Sequence, residues 1–175
     1  MLVFKIGGKY MEDNLLKNSN ELLNNIKNGK AFLVTKNENN VNVMQIGWGY
    51  IGFMWGKPSI IVGVRHSRYT YEQLKNSDEF VISIPKPGEF EDKLKICGTQ
   101  SGRDINKIEK CGFEMVDGQK VNVPYIDGCQ YHYECKVNYK QSIDPELLNK
   151  DILDKSYKNN DYHVMVYGEI VSAHQ

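Results

Sequence analysis

Three short stretches carry residue types that can do binding chemistry. The first is VRHSRYTYE, residues 64–72. It puts two guanidiniums (Arg65, Arg68), hydroxyls (among them Ser67, Tyr69 and Thr70) and free N–H groups between a strand end and a helix start. Arginine forks match phosphate oxygens in bidentate fashion, and unpaired N–H groups at a helix start favour anions. The second is CGTQSGRDINK, residues 97–107, where Cys97, Gly98, Ser101, Gly102, Arg103 and Lys107 again join glycines and cations to a helix start. Plain capping explains Ser101 and Asp104 here, but not the two glycines. The third is NVMQIGWGYIGFMWGKP, residues 42–58, which holds both tryptophans, Trp48 and Trp55, and Gly47, Gly49, Gly52 and Gly56. Glycine weakens a strand and often marks the close approach of a ligand or a second backbone. Met44, Gln45, Ile46, Gly47 and Trp48 are the residues that would line such an approach. Taken together, the three stretches suit a large planar ligand that bears a phosphate. The flat part would lie along backbone groups, and the phosphate would sit at the arginines.

Other devices are missing from the sequence. No GxGxxG leads from a strand into a helix, and neither GxxxxGK[ST] nor GxSxG occurs. His66, His132, His163 and His174 are scattered, with no pair at i+4, so no metal site is expected. Cys97, Cys111, Cys129 and Cys135 lack the close spacing of a zinc knuckle or a redox dithiol and read as reduced, partly buried thiols. Cys97 stands apart because it adjoins Gly98 in the second stretch. No catalytic acid–base pair is visible, so no catalytic side chain is assigned.

The elements that must position these residues are mostly strands. Leu15, Leu16, Leu22, Leu23 and Ile26 fall at helical spacing before Gly29, which predicts one early helix. Strands are predicted at 31–36, 41–46, 59–65, 80–85, 131–139 and 162–173, with a turn at 37–40 and a bulge or bend at Gly168. Residues 131–139 alternate like a half-buried strand. Short helices are predicted within 67–79 and over 100–112, the latter with Ser101 as N-cap and Gly112 as stop. Short turns without regular helical crossovers imply a mainly β, antiparallel Greek-key barrel rather than a doubly wound sheet. The chain of 175 residues suits one domain, 1–175, with no repeat or linker. Lys+Arg and Asp+Glu balance at 22 each, so no global field draws the protein to nucleic acid or an anionic membrane. No apolar run is long enough to span a bilayer, and MLVFKIGGKY is too short and glycine-interrupted for a signal peptide, so a cytoplasmic location is expected.

The order and spacing of the three stretches, with the later PYIDGCQYHYECKV and YGEIVSA, resemble the flavin reductase-like family of FMN-binding split-barrel proteins, near its flavoredoxin branch. The resemblance covers roughly residues 20–175. It implies a homodimer of split β-barrels with FMN near the dimer interface. It implies that residues 43–48 lay their backbone along the isoalloxazine edge, that Arg65, Ser67, Arg68 and Thr70 hold the phosphate and ribityl chain, and that Ser101–Lys107 close over the cofactor. NAD(P)H is then the expected electron donor, with the flavin supplying the chemistry. An electron-transfer module served by a redox partner protein, without its own NAD(P)H activity, is the alternative. Gly47 and Gly49 would leave room for the ring, while Gly52 and Gly56 would serve bends or the dimer contact. One departure stands out: Gln45 occupies a position where many relatives carry threonine.

Overall fold

A computed structural model of the chain describes residues 5–6, 9–10, 15–16, 18–38 and 40–175. Its frame is seven strands in one antiparallel sheet: β1 (Ala31–Asn37), β2 (Asn40–Ile46), β3 (Gly49–Met54), β4 (Lys57–Arg65), β5 (Glu79–Ile84), β6 (Tyr131–Ser142) and β7 (His163–His174). Their spatial order is β2-β1-β5-β6-β7-β4-β3. β2 and β3 are therefore the two edges of the sheet, yet only Gly47 and Trp48 separate them in sequence. So short a link forces the sheet to curl until its edges meet. Gly63 N–H of β4 then donates to the Trp48 carbonyl at 3.1 Å, and the seam is left without a continuous ladder. This is the mainly β split barrel that the sequence implied.

The apolar pattern shows why both faces are covered. β1 reads AFLV without alternation, as a strand buried on both sides should. Ala31 and Leu33 point into the barrel with Met44, Ile46, Ile60, Phe80 and Ile82. Phe32 and Val34 point outward beneath a second layer that includes Leu94, Cys97, Cys111 and Phe113. That layer comes from α3 (Glu91–Thr99), α4 (Lys107–Cys111) and the segment 113–129. The remaining helices are α1 (Ser19–Lys27), α2 (Tyr69–Lys75) and α5 (Lys150–Ser156).

Several expectations need correction. The early helix begins at Ser19; Leu15 and Leu16 precede it and still pack on the barrel core, while residues 12–14 and 17 lie outside the described set. Residues 100–112 are not one helix. Ser101 closes a turn by accepting from Arg103 N–H at 3.1 Å, and α4 starts only after Asn106, whose Oδ1 accepts from Ile108 N–H at 3.0 Å. Gly112 does end α4, in the left-handed conformation at φ 57°. The N-terminal half of β6 is buried on both faces, because His132 and Glu134 point into the second layer. The Glu134 carboxylate, fully buried, accepts from Gln119 and Lys120 N–H and from His174 Nε2. Gly168 is not a bulge. The extra residue lies opposite it in β6, where the register slips between Val137 and Tyr139.

Candidate functional site

A cleft of about 270 Å³ opens between the end of β2, the β4–α2 turn and the strap that joins α3 to α4. Its lining includes Met44, Gln45, Ile46, Gly47 and Trp48 from β2 and the link after it. It includes Arg65, Ser67, Arg68, Tyr69 and Thr70 from the β4–α2 turn and its flanks, Cys97 and Gly98 from the end of α3, Ser101, Gly102 and Arg103 from the strap, and Lys107 from the start of α4. All three sequence stretches thus face one space. Gln100 of the second stretch also lines it, as do Gly63 and His163, to which no motif pointed.

The cations are not equivalent. Arg65 donates to the backbone carbonyls of Asp161 and of Ser156, the latter at 3.0 Å, and its guanidinium lies 6.0 Å from the Trp48 ring centre and 5.3 Å from that of Tyr157. It braces the wall. Arg103 donates to Ser67 O at 3.1 Å, pairs with Glu72 at 2.5 Å and lies over Tyr69, so it latches the strap onto the turn. Lys107 is buried and donates to Val43 O at 2.9 Å and Cys97 O at 3.0 Å. Burial holds its pKa below the ordinary lysine value. Arg68 is exposed, as Arg103 is, but among the described residues its guanidinium has no hydrogen-bond or ion-pair partner. α2 has only seven residues, so the anion-binding character of this turn rests on Arg68 and Ser67 rather than on a helix dipole.

β2 offers a free backbone edge to the cleft, because it is an end strand of the sheet. Val43 O accepts from Lys107 on that side. With the period of two along a strand, the N–H and C=O of Gln45 face the same way. Backbone donors and acceptors therefore line one wall. The opposite wall carries Trp48, stacked at 4.3 Å on His163. His163 is held neutral, its pKa pushed down to about 4 by burial and by Arg65, and its Nδ1 is 3.0 Å from Tyr157 Oη. Cys97 is buried, and burial together with the neighbouring Cys111 pushes its thiol up to about 12. It stays protonated at neutral pH and offers no thiolate to the cleft.

Gln45 does not project freely into the cleft. Its Nε2 donates to Gly29 O, and its Oε1 rests against Gly98, where an added Cβ would lie only 1.9 Å away. Gly102 is similar: a Cβ there would lie 2.3 Å from Asn42 Oδ1 and 2.7 Å from Tyr69 Cδ1. Gly98 near the end of α3 and Gly102 in the strap thus let this segment close over β2 and α2. Gly98→Ala is expected to drive Gln45 out of its slot and break the bond to Gly29. The net loss is about 1 kcal/mol, after the roughly 1 kcal/mol that alanine gains in a helix. In the Gln45→Ala background the same change should turn neutral or stabilising. Urea unfolding of the four proteins measures that coupling, and equal effects in both backgrounds would refute it.

Comparison with known proteins agrees with this fold. The model of the flavin reductase like domain matches residues 17–175. An uncharacterized protein of Archaeoglobus fulgidus is 34% identical over 108 residues; the match covers 62% of this chain and 60% of that protein's length. An uncharacterized protein of Pyrococcus abyssi is 30% identical over 131 residues, 72% of each chain. Among solved structures, flavoredoxin from Methanosarcina acetivorans superposes with a TM-score of 0.67 at 24% identity, covering 83% of this chain and 67% of that one. An FMN-binding protein from Thermus thermophilus gives 0.65 at 21% identity, covering 83% and 68%. Among the described residues no helix is long and apolar enough to cross a membrane. The barrel, the three-sided cleft and the match over nearly the whole chain place this protein in the flavin reductase-like family.

Proposed function

We propose that the protein is an oxidoreductase that holds FMN in this cleft and moves reducing equivalents from NAD(P)H to an acceptor. The observation that carries the proposal is the Arg68 guanidinium, without a partner among the described residues, at one end of a cleft whose other end is an edge strand of the sheet. A guanidinium without a protein partner suits a phosphate, and a free ladder edge suits the polar rim of a flat heterocycle. FMN, when bound, supplies the hydride and electron chemistry. The chain's own part is to bind, orient and exclude water. Arg68 and Ser67 would hold the phosphate, Thr70 and Tyr69 would line the ribityl path, and the backbone at 43–48 would fix the ring edge. Lys107, buried beneath that edge, would put a positive charge where negative charge gathers on reduction.

The reading includes a homodimer formed through the exposed aromatic surface of β3. Tyr50 and Phe53 of this edge strand, 65% and 53% exposed, and Trp55 of the turn after it, 59% exposed, show more apolar area than a lone sheet edge usually shows to water. The test begins with the purified protein, which should be yellow or turn yellow with added FMN, and should weigh twice 20.2 kDa by light scattering. Anaerobic mixing with NADH and with NADPH should then bleach the flavin band. A protein that binds no FMN would overturn the proposal. Binding without bleaching would leave an electron-transfer module fed by a partner protein.

A further inference from the structure

We infer that Asp161 is a built-in competitor for the ligand's phosphate, seated on the donors of the β4–α2 turn, and that it sets how strongly the cleft prefers phosphorylated over unphosphorylated flavin. The inference rests on the flavin reading above. Ser67 N–H donates to Asp161 Oδ1 at 3.1 Å, and Ser67 Oγ donates to Oδ2 at 2.7 Å. One carboxylate thus takes both Ser67 donors, in the two-oxygen manner of a phosphate. These are the donors that the phosphate would need beside Arg68.

The carboxylate is placed there by its own segment. Asn160 takes a left-handed turn at φ 57°, and its N–H donates to Tyr157 O at 2.9 Å. Arg65 grips the Asp161 carbonyl from below. On the other side, His66 N–H donates to Tyr162 O at 3.1 Å. Burial would raise the Asp161 pKa, but the Ser67 hydroxyl and N–H, with Arg65 and Arg68, outweigh it and keep the group ionised at neutral pH. The turn does not need this clasp for closure, since Arg68 N–H already donates to Arg65 O at 3.0 Å and Tyr71 N–H to Arg68 O at 2.9 Å. An arriving phosphate must either displace the carboxylate or sit beside a like charge. Both lower its affinity, and neither touches a ligand that ends in a hydroxyl.

The test compares the wild-type protein with Asp161→Asn, which keeps an acceptor for Ser67, and with Asp161→Ala. Dissociation constants for FMN and riboflavin come from flavin fluorescence. Both variants should bind FMN about tenfold more tightly, with allowance for screening at a half-exposed site, and riboflavin no differently. A second arm needs no flavin: inorganic phosphate should raise the melting temperature of the variants more than that of the wild type. That arm still reads Asp161 if the protein proves not to bind flavin at all. FMN affinity that is unchanged or weaker in both variants, or an equal phosphate response in all three proteins, would overturn the inference and leave Asp161 as a clasp that positions Ser67.

Discussion

Replacing Gly168 with alanine is expected to cost the fold about 3 kcal/mol, the upper end of the usual penalty for overfilling a packed core. Gly168 lies midway along β7, paired with Ile60 of β4 on one side and Val137 of β6 on the other. A Cβ at this position would fall 2.5 Å from both Cε1 and Cζ of Phe80 and 2.9 Å from Cβ of Cys135. Neither neighbour can yield easily. Phe80 and Cys135 are completely buried, and each is fixed in a strand that pairs with the other. At interior density there is no void to take a displaced ring. The ordinary gain of alanine over glycine in a strand, about 0.5–1 kcal/mol, is smaller than this clash. For a domain of this size the melting temperature should drop by roughly 6–12 °C. Trimming the ring tests the cause: Phe80→Leu should recover part of the loss in the double variant but destabilise the parent protein. A Gly168→Ala protein within 0.5 kcal/mol of the parent would show that the strands shift apart freely, and the account of this glycine would fail.

That glycine also shows where the sequence was readable. A glycine inside a strand signals a bulge or a close neighbour, and only the fold decides which. Strands β1, β4, β5 and β7 are legible because their apolar, β-branched runs are buried on one or both faces. β3 is not, because Gly49 and Gly52 interrupt it and Tyr50 and Phe53 point to solvent. α3 was invisible for a different reason. Only Leu94 and Cys97 of its residues are buried, and it begins beside Phe90 in a left-handed conformation rather than at a capping side chain. β6 misled because its alternation of aromatic and polar residues looks half-solvated, while His132 and Glu134 in fact enter the second layer. The cleft was legible through its local stretches, since each carries its own glycine or arginine signature. What could not be read is what long-range folding adds. His163 arrives from a distant strand to stack on Trp48, and Asp161 arrives from the loop before it to hold Ser67. Nor could spacing tell that Arg65 spends its guanidinium on carbonyls while that of Arg68 has no partner among the described residues.

That last difference gives the second large effect. Arg68→Ala is expected to weaken FMN binding by about 1.5–3 kcal/mol, roughly 10- to 150-fold in dissociation constant, the size of a lost charge-assisted bond. Stability should stay within about 0.5 kcal/mol of the parent, since the side chain is exposed and, among the described residues, holds no other group. Riboflavin affinity should hardly change, because riboflavin has no phosphate to lose. Arg68→Lys should fall between, keeping the charge but losing the planar fork. Arg65→Ala makes the contrast. It removes donors to the Asp161 and Ser156 carbonyls and a cation beside Trp48 and Tyr157, so it should lower the melting temperature as well as affinity for both flavins. The two arginines stand three residues apart in one turn, and composition treats them alike. The structure makes one a brace and leaves the other without a partner among the described residues, the proposed anchor. Equal loss of FMN and riboflavin in Arg68→Ala, or none of either, would remove Arg68 from the phosphate and move the anchor elsewhere in the cleft.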